Sequence, residues 1–177
     1  NGLLVMLNRG LGYRTVLAWG TASTNAKRIF AKDTGSAAMF ADAHGNGYSS
    51  PGSFTPSQTT VTVAEFAGST VRTARDGIAP ATGSAAAFST GTTNAFLGGW
   101  SGGSLWQGPI PEVVVLSATL TDGQRRTVEE YLARKWSVTV TPSAPSGVTA
   151  TASTTTSGAA GIAWTAPAWN GGSAVTS

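Results

Sequence analysis
Residues Leu97–Trp136, LGGWSGGSLWQGPIPEVVVLSATLTDGQRRTVEEYLARKW, decide the fold class of this chain. A glycine-rich approach carrying Trp100 and Trp106 leads into Pro111–Leu116, an apolar strand broken only by Glu112. The hydrophobic period then lengthens, and Asp122–Trp136 is predicted as a helix. Thr121 is its N-cap, and Gln124 three positions on completes a capping box. Val128, Tyr131, Leu132 and Trp136 form an apolar stripe expected to pack on a sheet. Arg134 and Lys135 lie in the last turn, where the helix dipole favours cations. Arg125–Glu129, Arg126–Glu130 and Glu130–Arg134 read as a solvated, self-paired face, worth roughly 0.2–0.5 kcal/mol per pair.

Upstream, short β-patterned runs alternate with clusters of Gly, Pro, Asn and Ser. Strands are predicted at Leu3–Leu7, Thr15–Trp19, Arg28–Ala31, Ala37–Phe40, Thr59–Phe66, Thr70–Arg75, Ala85–Ser89, Ala95–Leu97 and Val113–Leu116. Thr59–Arg75 is the most legible pair. Val61, Val63 and Glu65 share one side of a strand, Ala67-Gly68-Ser69 turns the chain, and Thr70–Arg75 returns to a second turn at Asp76-Gly77. Downstream, the composition changes at Thr139–Pro145, read as a linker between residues 1–138 and 146–177. The second part has no charged residue. Ile162 and Trp164 alternate with Ala163 and Thr165, the pattern of a half-buried strand.

The strand–helix segment resembles the closing part of concanavalin A-like, laminin-G-type domains. The matching positions are Trp106, Gly108, Ile110, Glu112 and Val113, then Leu120, Thr121, Asp122, Gln124, Glu130, Tyr131, Leu132, Lys135 and Trp136. Thr59–Gly77 resembles that family's central hairpin, with Ala67 in place of its usual Asp. The resemblance spans about Leu3 to Trp136. It implies an all-β, antiparallel jelly-roll sandwich with one C-terminal helix. Residues 142–177 resemble the start of a fibronectin type III domain through Pro142, Pro145, Val148, Ala150, Ile162, Trp164, Pro167, Asn170, Gly171, Gly172 and Val175. Such a sandwich needs about 100 residues, so an incomplete module, and hence a piece of a longer multidomain protein, is expected.

Composition excludes several functions. The chain has 177 residues, room for one sandwich and little more. It is 41% hydrophobic with six Trp, which argues against disorder. The absence of cysteine removes disulfides and thiolate metal sites. Net charge is +3, but the basic residues are sparse and interleaved with acids, so no nucleic-acid surface is expected. No apolar run approaches the ~20 residues of a membrane helix. The eight acids are scattered, without the facing carboxylates that glycoside hydrolysis needs. A hydrolytic triad would have to use His44, the one histidine. No enzyme is therefore expected. Glu112 reads as a carboxylate accepting structural hydrogen bonds, with an acid at a ligand face as the alternative.

The candidate binding feature is the segment Ala41–Gly52, ADAHGNGYSSPG, expected as a loop. Asp42, His44 and Asn46 offer polar groups for sugar hydroxyls, and Tyr48 offers a ring for a sugar's C–H face. The plain reading is a hairpin whose Asn46-Gly47 makes the turn. Trp100 is a second candidate, and Trp106 is read mainly as packing. No cofactor is expected, although Asp42, Asn46 and Asp76 could supply oxygen ligands to calcium. The two-module order resembles bacteriophage minor tail or tail-fibre proteins. It implies a virion or extracellular module that meets further copies, other tail subunits and host-surface glycans, without membrane insertion. The alternative is a carbohydrate-binding or adhesion module of a bacterial secreted or cell-surface protein.

Overall fold
The computed structural model describes residues 2–8, 14–19, 27–33, 37–43, 46–49, 58–84, 95–99 and 105–173. The described chain is mostly β, its named strands all pairing antiparallel, with one helix and one isolated parallel bridge between Thr15 and Leu105. β1 (Gly2–Asn8), β6 (Thr59–Ala67), β7 (Thr70–Arg75), β8 (Ala81–Ser84) and β10 (Val113–Val115) form one five-stranded sheet in the order β10-β1-β6-β7-β8. β2 (Arg14–Trp19), β3 (Lys27–Asp33), β4 (Ala37–Ala43), β5 (Asn46–Ser49) and β9 (Ala95–Leu97) form the second, ordered β5-β4-β3-β2-β9. The sheets meet where β4 and β5 lie against β7 and β8. A separate two-stranded sheet pairs β11 (Ser146–Ala152) with β12 (Ala160–Thr165).

β6 shows how the layers are built. Thr60 through Phe66 are all buried, on both faces of the strand. Val63 pairs with Ala74 of β7, and Val61 and Val63 pack with Leu132, Ala133, Val138 and Val140. Because side chains alternate along a strand, Ala64 and Phe66, which pair with Thr73 and Val71, face the other way. The valine face of the hairpin is thus covered by the helix α1 (Asp122–Trp136) and the chain that follows it. Val61, Val63 and Glu65 do share a side, and that side is the helix side.

The capping box forms as expected. Gln124 N donates to Thr121 Oγ1 at 3.3 Å and Thr121 N to Gln124 Oε1 at 3.0 Å. Ser137 ends the helix in the left-handed conformation, φ 54° and ψ 41°. Val138 N then reaches back to Ala133 O at 2.9 Å, a Schellman closure whose apolar contact is Val138 itself.

The packing face of α1 differs from the expected stripe. Its buried residues are Arg125, Glu129, Leu132 and Ala133, with Val128 partly buried beside them. Tyr131 is 51% exposed and Trp136 39%. At about 100° per residue, Tyr131 lies well off the Arg125–Glu129–Leu132 line, and Trp136 sits at the end of the helix. The self-paired face is partly inside the molecule. Arg125 Nη1 donates to Glu129 Oε1 at 2.7 Å, and Glu129 is fully buried. Arg126 Nη1 bonds the other oxygen at 3.2 Å. Arg126 also approaches Glu130 at 3.8 Å, while Arg134 stacks 5.1 Å from the Trp169 ring centre.

Candidate functional site
Within Ala41–Gly52 the described residues, 41–43 and 46–49, are strand rather than loop. Asp42 lies in β4 opposite Gly47, while Asn46 and Tyr48 lie in β5 opposite Ala43 and Ala41. Asn46-Gly47 therefore pairs within the ladder and does not make the turn. The register sets Asp42 one step out of phase with the Ala43–Asn46 and Ala41–Tyr48 pairs. His44, Trp100 and the predicted strand Ala85–Ser89 lie outside the described residues. Trp106 is partly buried, its backbone N–H donating to Gly98 O at 2.9 Å.

Asp76, a candidate calcium ligand, is occupied within the fold. It sits at φ 48° in the turn after β7, and Val61 N donates to its Oδ1 at 2.8 Å. Arg75 Nε lies 3.1 Å from its other oxygen. Burial pushes its carboxyl up to about 6, against the pull of the Val61 N–H and of Arg75. Among the described residues, no three His, Asp or Glu gather in a way that could hold a metal ion.

The exposed end of α1 gathers a different set of groups. Glu112, just before β10, accepts from Trp136 Nε1 at 2.8 Å and pairs with Lys135 Nζ at 3.0 Å. Lys135 Nζ also donates to Tyr131 Oη at 3.1 Å. The ammonium lies 5.4 Å from the Tyr131 ring centre and 5.8 Å from that of Trp136. The Trp136 and Lys135 donors hold the Glu112 carboxyl below its ordinary range, and Tyr131 and Glu112 hold Lys135 above its own. Two exposed rings are thereby fixed around an ion pair on a rigid helix. Chemically the patch can stack on an apolar ligand face and hydrogen-bond around it. It offers no unengaged general acid or base.

The other acids with described side chains are also engaged. Glu65 and Asp122 bracket Arg72 at 3.2 and 2.6 Å, with Arg72 drawing the Asp122 carboxyl down. Glu129 holds Arg125 and Arg126, and burial pushes its carboxyl up. Glu130 accepts from Ser143 Oγ. A cleft of about 270 Å³ opens between the helix end and Trp169, lined by Arg134, Ser137, Val138, Thr139 and Gly172 among others.

Compared with known proteins, the chain matches no family model, no curated protein and no solved structure. Sequence reasoning had assigned Tyr131 and Trp136 to the core, so the patch was missed. Part of the signal was present in the spacing of Tyr131 and Lys135, since i,i+4 neighbours share a helix face, while Trp136 joins them through Glu112.

Proposed function
We propose that the chain is a non-catalytic structural and recognition module of a bacteriophage minor tail or tail-fibre protein, contacting glycans on the host surface. Its two antiparallel sheets are taken as a concanavalin A-like, laminin-G-like sandwich, and β11–β12 as the opening strands of a fibronectin type III module. The observation that carries recognition is the Glu112–Lys135–Tyr131–Trp136 patch. Exposed rings with fixed orientation stack on the C–H face of a sugar at little entropic cost, and the flanking charges orient its hydroxyls. The structural engagement of Glu65, Asp76, Glu112, Asp122, Glu129 and Glu130 supports a module without hydrolytic chemistry, which needs two carboxylates free to face one glycosidic bond. Asp42, His44, Asn46, Tyr48 and Trp100 remain the second candidate contact. Individual sites of this size bind weakly, and an assembly with many copies gains by avidity.

A carbohydrate-binding or adhesion module of a bacterial cell-surface protein would use the same contacts; the parent gene separates the two. A purely structural reading is favoured by one observation, the exposure of Val148, Ile162 and Trp164 on β11–β12. The test is binding of a multimerised chain to host cell-wall fragments. Trp136→Ala is expected to weaken it about tenfold, the equivalent of ~1.4 kcal/mol. Loss with Tyr48→Ala or Trp100→Ala instead would move the site to the hairpin or its neighbour. No binding by the wild type would leave the structural reading.

A further inference from the structure
The Pro-containing linker Thr139–Pro145 has the composition of an extended spacer, and motion between modules is the default where such linkers join them. The contacts around it point elsewhere. Val138 and Val140 are buried in one core with Val61, Ala74 and Leu132, so the linker begins inside the first module. Thr141 N donates to Asp76 O at 2.8 Å, and its carbonyl accepts from Arg126 Nη2 at 2.6 Å. From the other side, Val140 N donates to Gly171 O at 2.9 Å, and Trp169 packs against the same core beneath Arg134. Ser143 Oγ donates to the Glu130 carboxylate.

Two glycines make this approach close enough. A Cβ on Gly171 (φ +79°) would sit 2.0 Å from Val140 O, and one on Gly77 (φ +77°) would sit 1.8 Å from Arg126 Nη1. Both are far inside van der Waals contact, and in the first case the obstacle is backbone that cannot yield. The linker is thus gripped between the Asp76-Gly77 turn and helix on one side and the Trp169–Gly172 segment on the other.

We propose that the first module carries a docking surface for Trp169–Gly172, which locks the linker and holds β11–β12 as a fixed extension of the first module. The hairpin's exposed face, with Val148, Ile162 and Trp164, is then presented in one direction, as a stiff arm requires. Chains of such modules would transmit orientation rather than swing.

The chain has no cysteine, so spin labels can be placed at Thr119→Cys and Thr154→Cys, both exposed. Pulsed electron double resonance on the wild-type background is expected to give one narrow distance distribution. A spread of roughly 15 Å, the range of a free linker of this length, would overturn the proposal. Trp169→Ala with Gly171→Ala is expected to broaden the distribution about to that range. An unchanged width in that double variant would equally overturn it. Gly158→Ala is the control: Gly158 has a similar φ of +77° with nothing within 4 Å, so the backbone strain is matched without the clash. Broadening by Gly158→Ala as great as by Gly171→Ala alone would show that strain, not docking, sets the width.

Discussion

At the scale of single residues, backbone conformation and burial give the clearest expectations. Ser137 ends α1 at φ 54°, a conformation that costs an L-residue roughly 1–2 kcal/mol, part of which glycine recovers. Ser137→Gly is expected to stabilise the chain by ~0.5–1 kcal/mol in urea denaturation. Asp76 makes the opposite kind of point. Its carboxyl is raised from an ordinary 3.8 to about 6 by burial. Between those values the folded chain holds a proton that the unfolded chain has released, so stability falls as pH rises through this window. Glu129, also raised by burial, acts in the same sense, whereas Glu112 and Asp122, lowered by their partners, cost stability only when pH falls below the ordinary carboxylate range. Asp76→Asn keeps an acceptor for Val61 N and a side chain that tolerates positive φ. It is expected to flatten the decline in stability between about pH 4 and 6, by up to ~2–3 kcal/mol; an unchanged slope would assign the proton elsewhere.

At the scale of elements, α1 was legible in its boundaries and misread in its orientation. The capping box is a local device, visible in four residues, and it forms as read. The packing face is decided by distant partners. Hydrophobicity alone ranks Tyr131 and Trp136 above Arg125 and Glu129, yet the mutual neutralisation of the charged pair and the aliphatic stem of arginine let it go inside. β5 was missed for a related reason: Asn46-Gly47 carries a turn signal, and the β4–β5 register overrides it. The buried ion pair gives a direct expectation. Arg125→Leu leaves the buried Glu129 carboxylate with Arg126 as its remaining partner and is expected to cost roughly 1–3 kcal/mol by chemical denaturation, while Arg125→Leu with Glu129→Leu recovers part of that loss. A double variant no more stable than the single would mean that the pair is held for reasons other than mutual charge compensation.

At the scale of the whole molecule, the antiparallel all-β character could be read from turn spacing and period-two runs, together with the position of α1. The way the pieces join could not. Val140 reads as linker by sequence, and only the long-range meeting of β6, α1 and Gly171 places it in the core. The same limit applies to the candidate site: Glu112 was singled out by its cost in an apolar strand, but its partners Lys135 and Trp136 come from the far end of the helix. Recognition through this patch is tested most directly by following the indole N–H resonances of the chain by NMR while host cell-wall glycan is added. The Trp136 signal, assigned by its loss in Trp136→Phe, is expected to shift progressively with glycan and to stop shifting when Tyr131 is replaced by Ala. A Trp136 resonance that stays fixed at millimolar glycan, while the chain remains folded, would contradict recognition through this surface.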